Sequence, residues 1–145
     1  MAMLMSKLCI IAGGFLSLFM VLFHTRFYHL FYWKEEFEQL TVRSRKIVFT
    51  IHVALILLFL VFALLSLFLY EDLAQCQGLA LALVALYALF WLWRAVWQVV
   101  YFWPQKGGGR AMLMLHFILI VVFLLLFAAY AAPVIIRLYT VYHGF

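Results

Sequence analysis

Two histidines occupy matching places in this chain. His52 follows Lys46, and His116 follows Arg110, each after five apolar or threonine residues. A neutral imidazole offers one N–H donor and one lone pair, so it can bridge helices or ligate a metal. Two imidazoles facing each other at equal depth are what a six-coordinate b-type haem requires. Phe49, Phe59, Phe117 and Phe123 would suit the macrocycle, and Arg94 or Arg26 would meet a propionate. His24, His52 and His116 could instead hold zinc or copper, since imidazole serves either. Two neutral histidines hydrogen-bonded between helices account for the same pair without any cofactor.

Other chemistry finds little support. No nucleophile with a base, carboxylate pair or nucleotide loop is present, so enzyme activity by this chain alone is not expected. Gly107, Gly108 and Gly109 lack the Lys-Ser/Thr and the preceding strand of a phosphate loop, and read as a turn. Cys9 and Cys76 form no Cys-x-x-Cys; two independent thiols are the simpler expectation, a disulfide in an oxidising compartment the other.

The elements that must position these residues follow from composition. The chain has 145 residues, 71% hydrophobic and 10% charged. Soluble domains run near about 45–50% apolar and about 25% charged. Four apolar stretches are long enough to cross a bilayer: about Leu8 to Trp33, Ile47 to Tyr70, Leu79 to Trp103 and Ala111 to Ile136. Backbone groups in lipid must be paired internally, and the alternating strands of a barrel are absent. The expected class is an all-α integral membrane protein, a four-transmembrane-helix bundle forming a single domain over 1–145. Short polar connections make neighbouring helices antiparallel. Pro104 ends the third, and Pro133 is expected to kink or fray the fourth, leaving Tyr139 to Phe145, with His143, at the interface. The first stretch is too long for a signal peptide and is read as a retained helix.

Lys34, Arg43, Arg45, Lys46, Lys106 and Arg110 lie on one side, whereas the other carries only Lys7 and Arg137 beside Glu71 and Asp72. The positive-inside rule then puts both termini outside and the basic loops in the cytoplasm, most simply across a bacterial inner membrane. Tyr32, Trp33, Tyr101 and Trp103 form an aromatic belt on the inner side. The net charge of +5 reflects topology and anionic lipid, not nucleic acid.

Counted from the inner boundary, His29, His52, Gln98 and His116 lie roughly 6–9 Å into the apolar zone, and His24 and Arg94 roughly 13–14 Å. The outer half carries little beyond Ser17, Ser66 and Tyr130. Tyr87, Trp91, Arg94, Gln98 and Tyr101 recur at spacings of three and four and form one stripe. Along the first stretch, His24 and Tyr28 share one face; Arg26, His29 and Trp33 share another. An ionisable residue inside a membrane costs about 2.5–3.5 kcal/mol on insertion scales. Arg94 has no acidic residue within any span to offset that cost.

Residues 64 apart also match, with Leu55-Ile56 and Phe59-Leu60 recurring as Leu119-Ile120 and Phe123-Leu124. A duplicated helical hairpin (repeats 8–70 and 79–136, about an axis along the membrane normal) would leave this pattern, and so would convergent composition. Three functions remain. The first is a small subunit of an electron-transfer complex holding haem b through His52 and His116, with Arg94 and His24 beside it. The second is a cofactor-free accessory bundle packing on other subunits, with Gly13 and Ser17 seating a neighbouring helix. The third is a small transporter, which a polar layer in only one leaflet argues against.

Overall fold

The computed structural model describes residues 1–30, 37–103 and 109–143, without the side chains of 27–30. Among these residues all regular structure is helical, and four helices are long and apolar enough to cross a membrane. The elements are α1 (Ala2–Leu30), α2 (Val42–Phe68), α3 (Tyr70–Gln75), α4 (Gly78–Val100) and α5 (Arg110–His143). The end carrying Arg43, Arg45, Lys46 and Arg110 is called the basic end below, and the end carrying α3 the far end.

Several boundaries differ from expectation. α1 begins at Ala2 rather than Leu8, so Lys7 lies inside the helix. α2 begins at Val42, because Thr41 caps it: the Thr41 Oγ1 accepts from the Ser44 N–H at 3.2 Å. The expected second loop is instead the short α3, whose first turn carries Glu71 and Asp72 against the positive helix terminus. Leu73 and Ala74 anchor it by burial. Cys76 then turns the chain with φ of 47° and Gly78 with φ of 51°, a conformation that costs glycine little. Pro133 does not end the fourth span. α5 runs through it to His143, so Tyr139 to His143 are helical, and Pro133 itself is fully buried. One missing donor is a smaller loss than a broken helix, which would orphan several carbonyls in apolar surroundings. The ends of the first and third connections, at 31–36 and 104–108, lie outside the described residues, as do Tyr32, Trp33, Lys34 and Lys106.

Helix α1 packs closely on α2 and α5, and α4 packs on α5. Glycines permit the first of these approaches. A Cβ on Gly13 would lie 2.7 Å from Tyr130 Cζ, and one on Gly14 would lie 2.9 Å from the Leu67 side chain. Gly13 and Ser17 thus face helices of their own chain, not an outside helix as the sequence suggested. The helices α2 and α4 meet differently, through aromatic rings. Phe62 stacks on Tyr87 at 4.0 Å, and Phe59 on Trp91 at 5.1 Å.

The interior is layered in steps of seven residues, two helical turns, which keeps one face inward. At the far end, the Tyr130 hydroxyl lies 2.8 Å from Ser66 Oγ and 3.2 Å from Ser17 Oγ. Seven residues along, Trp91 stacks against both Phe59 and Phe123, at 5.1 and 5.8 Å. Seven further lie His52 and His116, with Gln98 seven beyond Trp91; His24, seven beyond Ser17, stands at the level of Phe59 and stacks on His52 from there.

Lys7 Nζ bonds Glu71 Oε1 at 2.9 Å, tying α1 to α3 at the far end. That bond holds the Glu71 carboxyl below its ordinary value of 4.5. A depressed carboxylate adds stability above its unfolded pKa and loses it as pH falls through the folded one. The pair is fully exposed, so the effect is small. Glu71→Gln should shift the unfolding midpoint slightly at pH 7 and low salt, and not at all at pH 3 or in molar salt. A shift independent of both would show that the pair contributes nothing. Cys9 and Cys76 are free thiols; Cys76 is buried, donates to the Leu73 carbonyl at 3.3 Å, and has its pKa pushed up by that burial.

Candidate functional site: a polar layer at the basic end

Four long helices each send a polar side chain to the basic-end layer. On α1, His24 Nδ1 donates to the Met20 carbonyl at 2.9 Å, which leaves the lone pair on Nε2. On α2, His52 Nε2 donates to the backbone carbonyl of His24, also at 2.9 Å. The two rings stack at 5.7 Å with 25° between planes, and Phe59 meets His24 edge-on at 4.8 Å. These contacts pin α2 to α1.

The other half of the layer joins α4 to α5. Gln98 Nε2 lies 3.2 Å from His116 Nδ1, and both side chains are buried. With the amide nitrogen donating, Nδ1 is the acceptor and the ring proton sits on Nε2. That Nε2 is buried and has no partner. Trp103 closes over the ring edge-on at 5.3 Å.

Arg94 lies one turn from Gln98 on the same face of α4. Its guanidinium sits over Phe123 at 4.7 Å and Phe102 at 5.3 Å. The aromatic faces attract it, yet Nη1 is buried without a hydrogen-bond partner. Phe59, which meets His24 on one side and Trp91 on the other, links the two halves of the layer. Trp91 Nε1 and the Tyr87 hydroxyl are buried and unpartnered as well.

No family model, curated protein or solved structure matches this chain.

The geometry has to be read by itself. Of the two histidines expected to face each other, His52 pairs with His24, which was expected deeper, and His116 pairs with Gln98. Among the described residues, no three His, Cys, Asp or Glu side chains gather closely enough to hold a metal ion. The His29 side chain lies outside the described residues, and Arg26 is exposed. The predicted α4 stripe is buried at Tyr87, Trp91 and Gln98 and half-buried at Arg94. Its last member, Tyr101, is exposed and stacks on Trp97 at 5.1 Å.

The Ser17–Ser66–Tyr130 cluster was not foreseen as a unit. Ser66 and Tyr130 are themselves 64 apart, so the repeat offset already carried the signal. What distinguishes the basic-end layer is its imbalance. Arg94 Nη1, His116 Nε2 and Trp91 Nε1 all donate and none has an acceptor. A buried donor without a partner costs about 1–3 kcal/mol, more when charged. The helices α1, α2, α4 and α5 contain no Asp or Glu at all. What the layer wants is an acceptor, and an oxygen-bearing group would supply one.

Proposed function

We propose that this chain is a small multi-pass subunit of a membrane complex, holding an anionic, oxygen-bearing group in its basic-end layer. The observation that carries the proposal is the pair of buried, unpartnered donors, Arg94 Nη1 and His116 Nε2. Native structures rarely leave such groups unpaired, and a ligand is one standard reason when they do. The four long apolar helices offer a broad apolar surface against which other subunits would pack. The loop charges support a reading in which the layer lies in the cytoplasmic leaflet with both termini outside, as across a bacterial inner membrane.

A b-type haem in an electron-transfer complex is the second reading, favoured by the tautomer of His24. His24 ties Nδ1 to a backbone carbonyl, the arrangement that orients a ligating histidine through its Nε2. With the Gln98 amide turned so that its oxygen accepts from Nδ1–H, His116 would present a lone pair in the same way. His52 commits its Nε2 to the His24 carbonyl and would have to turn to serve as the ligand. Arg94 would meet a propionate in this arrangement.

One preparation tests both readings. The full chain is purified in mild detergent, and its native mass and reduced-minus-oxidised spectrum are recorded. A retained anionic adduct that disappears in Arg94→Met supports the first reading. A b-haem spectrum at near one haem per chain, lost in His116→Ala, supports the second. A flat spectrum and a bare mass, unchanged by either substitution, would overturn both.

A further inference from the structure

The two ends of the bundle are built unequally. On α2 the buried residues are Phe59, Phe62, Ala63 and Ser66. Between Val42 and Leu58 no side chain is buried. One face of α4 carries Phe90, Arg94, Trp97 and Tyr101 at spacings of four, three and four. Phe90 on that face touches Phe59 and Phe62 of α2, at 6.0 and 5.4 Å. Towards the basic end, α2 no longer covers it: Trp97 is 40% and Tyr101 68% exposed. Among the described residues, rings of α2 bridge to α4 only at Tyr87, Phe90 and Trp91, so beyond that level this flank of α4 faces sideways into the surroundings. Arg94, half-buried, lies one turn beyond Trp91, the last of these bridges.

We infer that this open flank of α4 receives the phosphate of an anionic phospholipid from the surrounding leaflet, with Arg94 as its principal donor and His116 as a second. The inference rests on the reading of the layer as an anion site, and names the anion and its source. Three observations point to it. The missing partners are acceptors, and the nearest fixed charge is an uncompensated guanidinium. A guanidinium matches phosphate with a fork of parallel donors. The opening is sideways, into lipid, which suits a headgroup carried on acyl chains. Arg43, Arg45, Lys46 and Arg110 surround that end of the bundle. Basic residues there enrich anionic lipid, each contributing about 1 kcal/mol near the surface.

The test uses the full chain, delipidated in detergent, with unfolding midpoint and native mass as readouts. The probes are phosphatidylglycerol, diacylglycerol, oleate and inorganic phosphate. The wild type should retain one phosphatidylglycerol and unfold at a higher temperature with it. Diacylglycerol and inorganic phosphate should do neither, because one lacks the phosphate and the other the chains. Arg94→Met should bind phosphatidylglycerol at least roughly tenfold more weakly. Without lipid, Arg94→Met should unfold at a higher temperature than the wild type, because a buried unpaired cation has been removed. His116→Leu should weaken binding less. Should Arg94→Met fail to fold, Arg94→Lys keeps the charge without the fork and should show an intermediate affinity.

Equal binding of diacylglycerol, or full phosphatidylglycerol binding by Arg94→Met, would overturn the inference. An Arg94-dependent shift with oleate but none with phosphatidylglycerol would also overturn it, while leaving the anion site standing. A shift with inorganic phosphate alone would identify a free anion as the ligand. No Arg94-dependent response to any probe would remove the anion site itself.

Discussion

Trp91→Ala is expected to lower the stability of the purified protein by about 3 kcal/mol, the low end for a buried aromatic truncation. Trp91 is fully buried, and its ring touches α2 through Phe59 and α5 through Phe123. It joins two helices whose backbones stand diagonally across the bundle. Removing it would strand both rings beside a void, and α2 has few other attachments to α4. The low end applies because lipid and detergent tails are themselves apolar, so dispersion contacts carry most of the loss. Trp91→Phe keeps a ring in the stack and should cost markedly less. Unfolding by denaturing detergent would measure both. Equal midpoints for the two variants would mean that the stack does not hold the bundle together.

The second large effect belongs to Gly13. A β-carbon there would lie 2.7 Å from Cζ and 3.0 Å from both Cε atoms of Tyr130. Tyr130 cannot easily retreat, because its ring is fully buried and its hydroxyl is held between Ser17 and Ser66. Gly13→Val should therefore destabilise by about 2–3 kcal/mol, with α1 displaced from α5. At Gly14 the atoms nearest a new β-carbon belong mostly to Leu67, whose side chain can move. Gly14→Ala should cost less than Gly13→Ala. Adding Tyr130→Leu to Gly13→Val should recover part of the loss, a coupling of about 1 kcal/mol or more for residues in contact. Purely additive effects would show that Tyr130 is not what excludes a larger residue at this position.

Much of the fold was legible in the sequence because apolar length is a direct signal. Four stretches near twenty residues long were enough to place four helices, whereas the seven-residue layering of the interior was not read: polar residues were placed only by their depth from the inner boundary. The ends of the helices were harder to read. Lys7 looked like a boundary because its partner, Glu71, is 64 residues away. Pro133 looked like a point of kinking or fraying because a local rule about donors ignores what open backbone groups cost in apolar surroundings.

Within the candidate site, residue types and depth were readable, but partnership was not. Equal depth suggested that His52 and His116 face each other. Each instead found a neighbour on the adjoining helix: the His24 carbonyl for one and the Gln98 amide for the other. Depth fixes position along the axis, whereas partnership depends on rotation about it, and a few tens of degrees decide which helix a ring meets. The layer's want of acceptors was half visible. The missing acids could be counted from the sequence, but the orphaned nitrogens could not.

The unequal packing of α2 also grades its cohesion along its length. From Phe59 onward it is clasped by aromatic rings and by the hydroxyl cluster. Before Phe59 no side chain is fully buried: His52 bonds the α1 backbone, Leu55, Ile56 and Leu58 pack half-buried against the core, and most of the others are exposed. Local opening requires least where few packed contacts must break. The first four turns of α2 should therefore open before the rest of the bundle, pivoting near Phe59. In detergent, their amides should exchange faster than those of residues 59–66. Uniform protection along the helix would contradict this. The molecule then resembles a clothes-peg: the far end is the spring, and the jaws are α2 and α4.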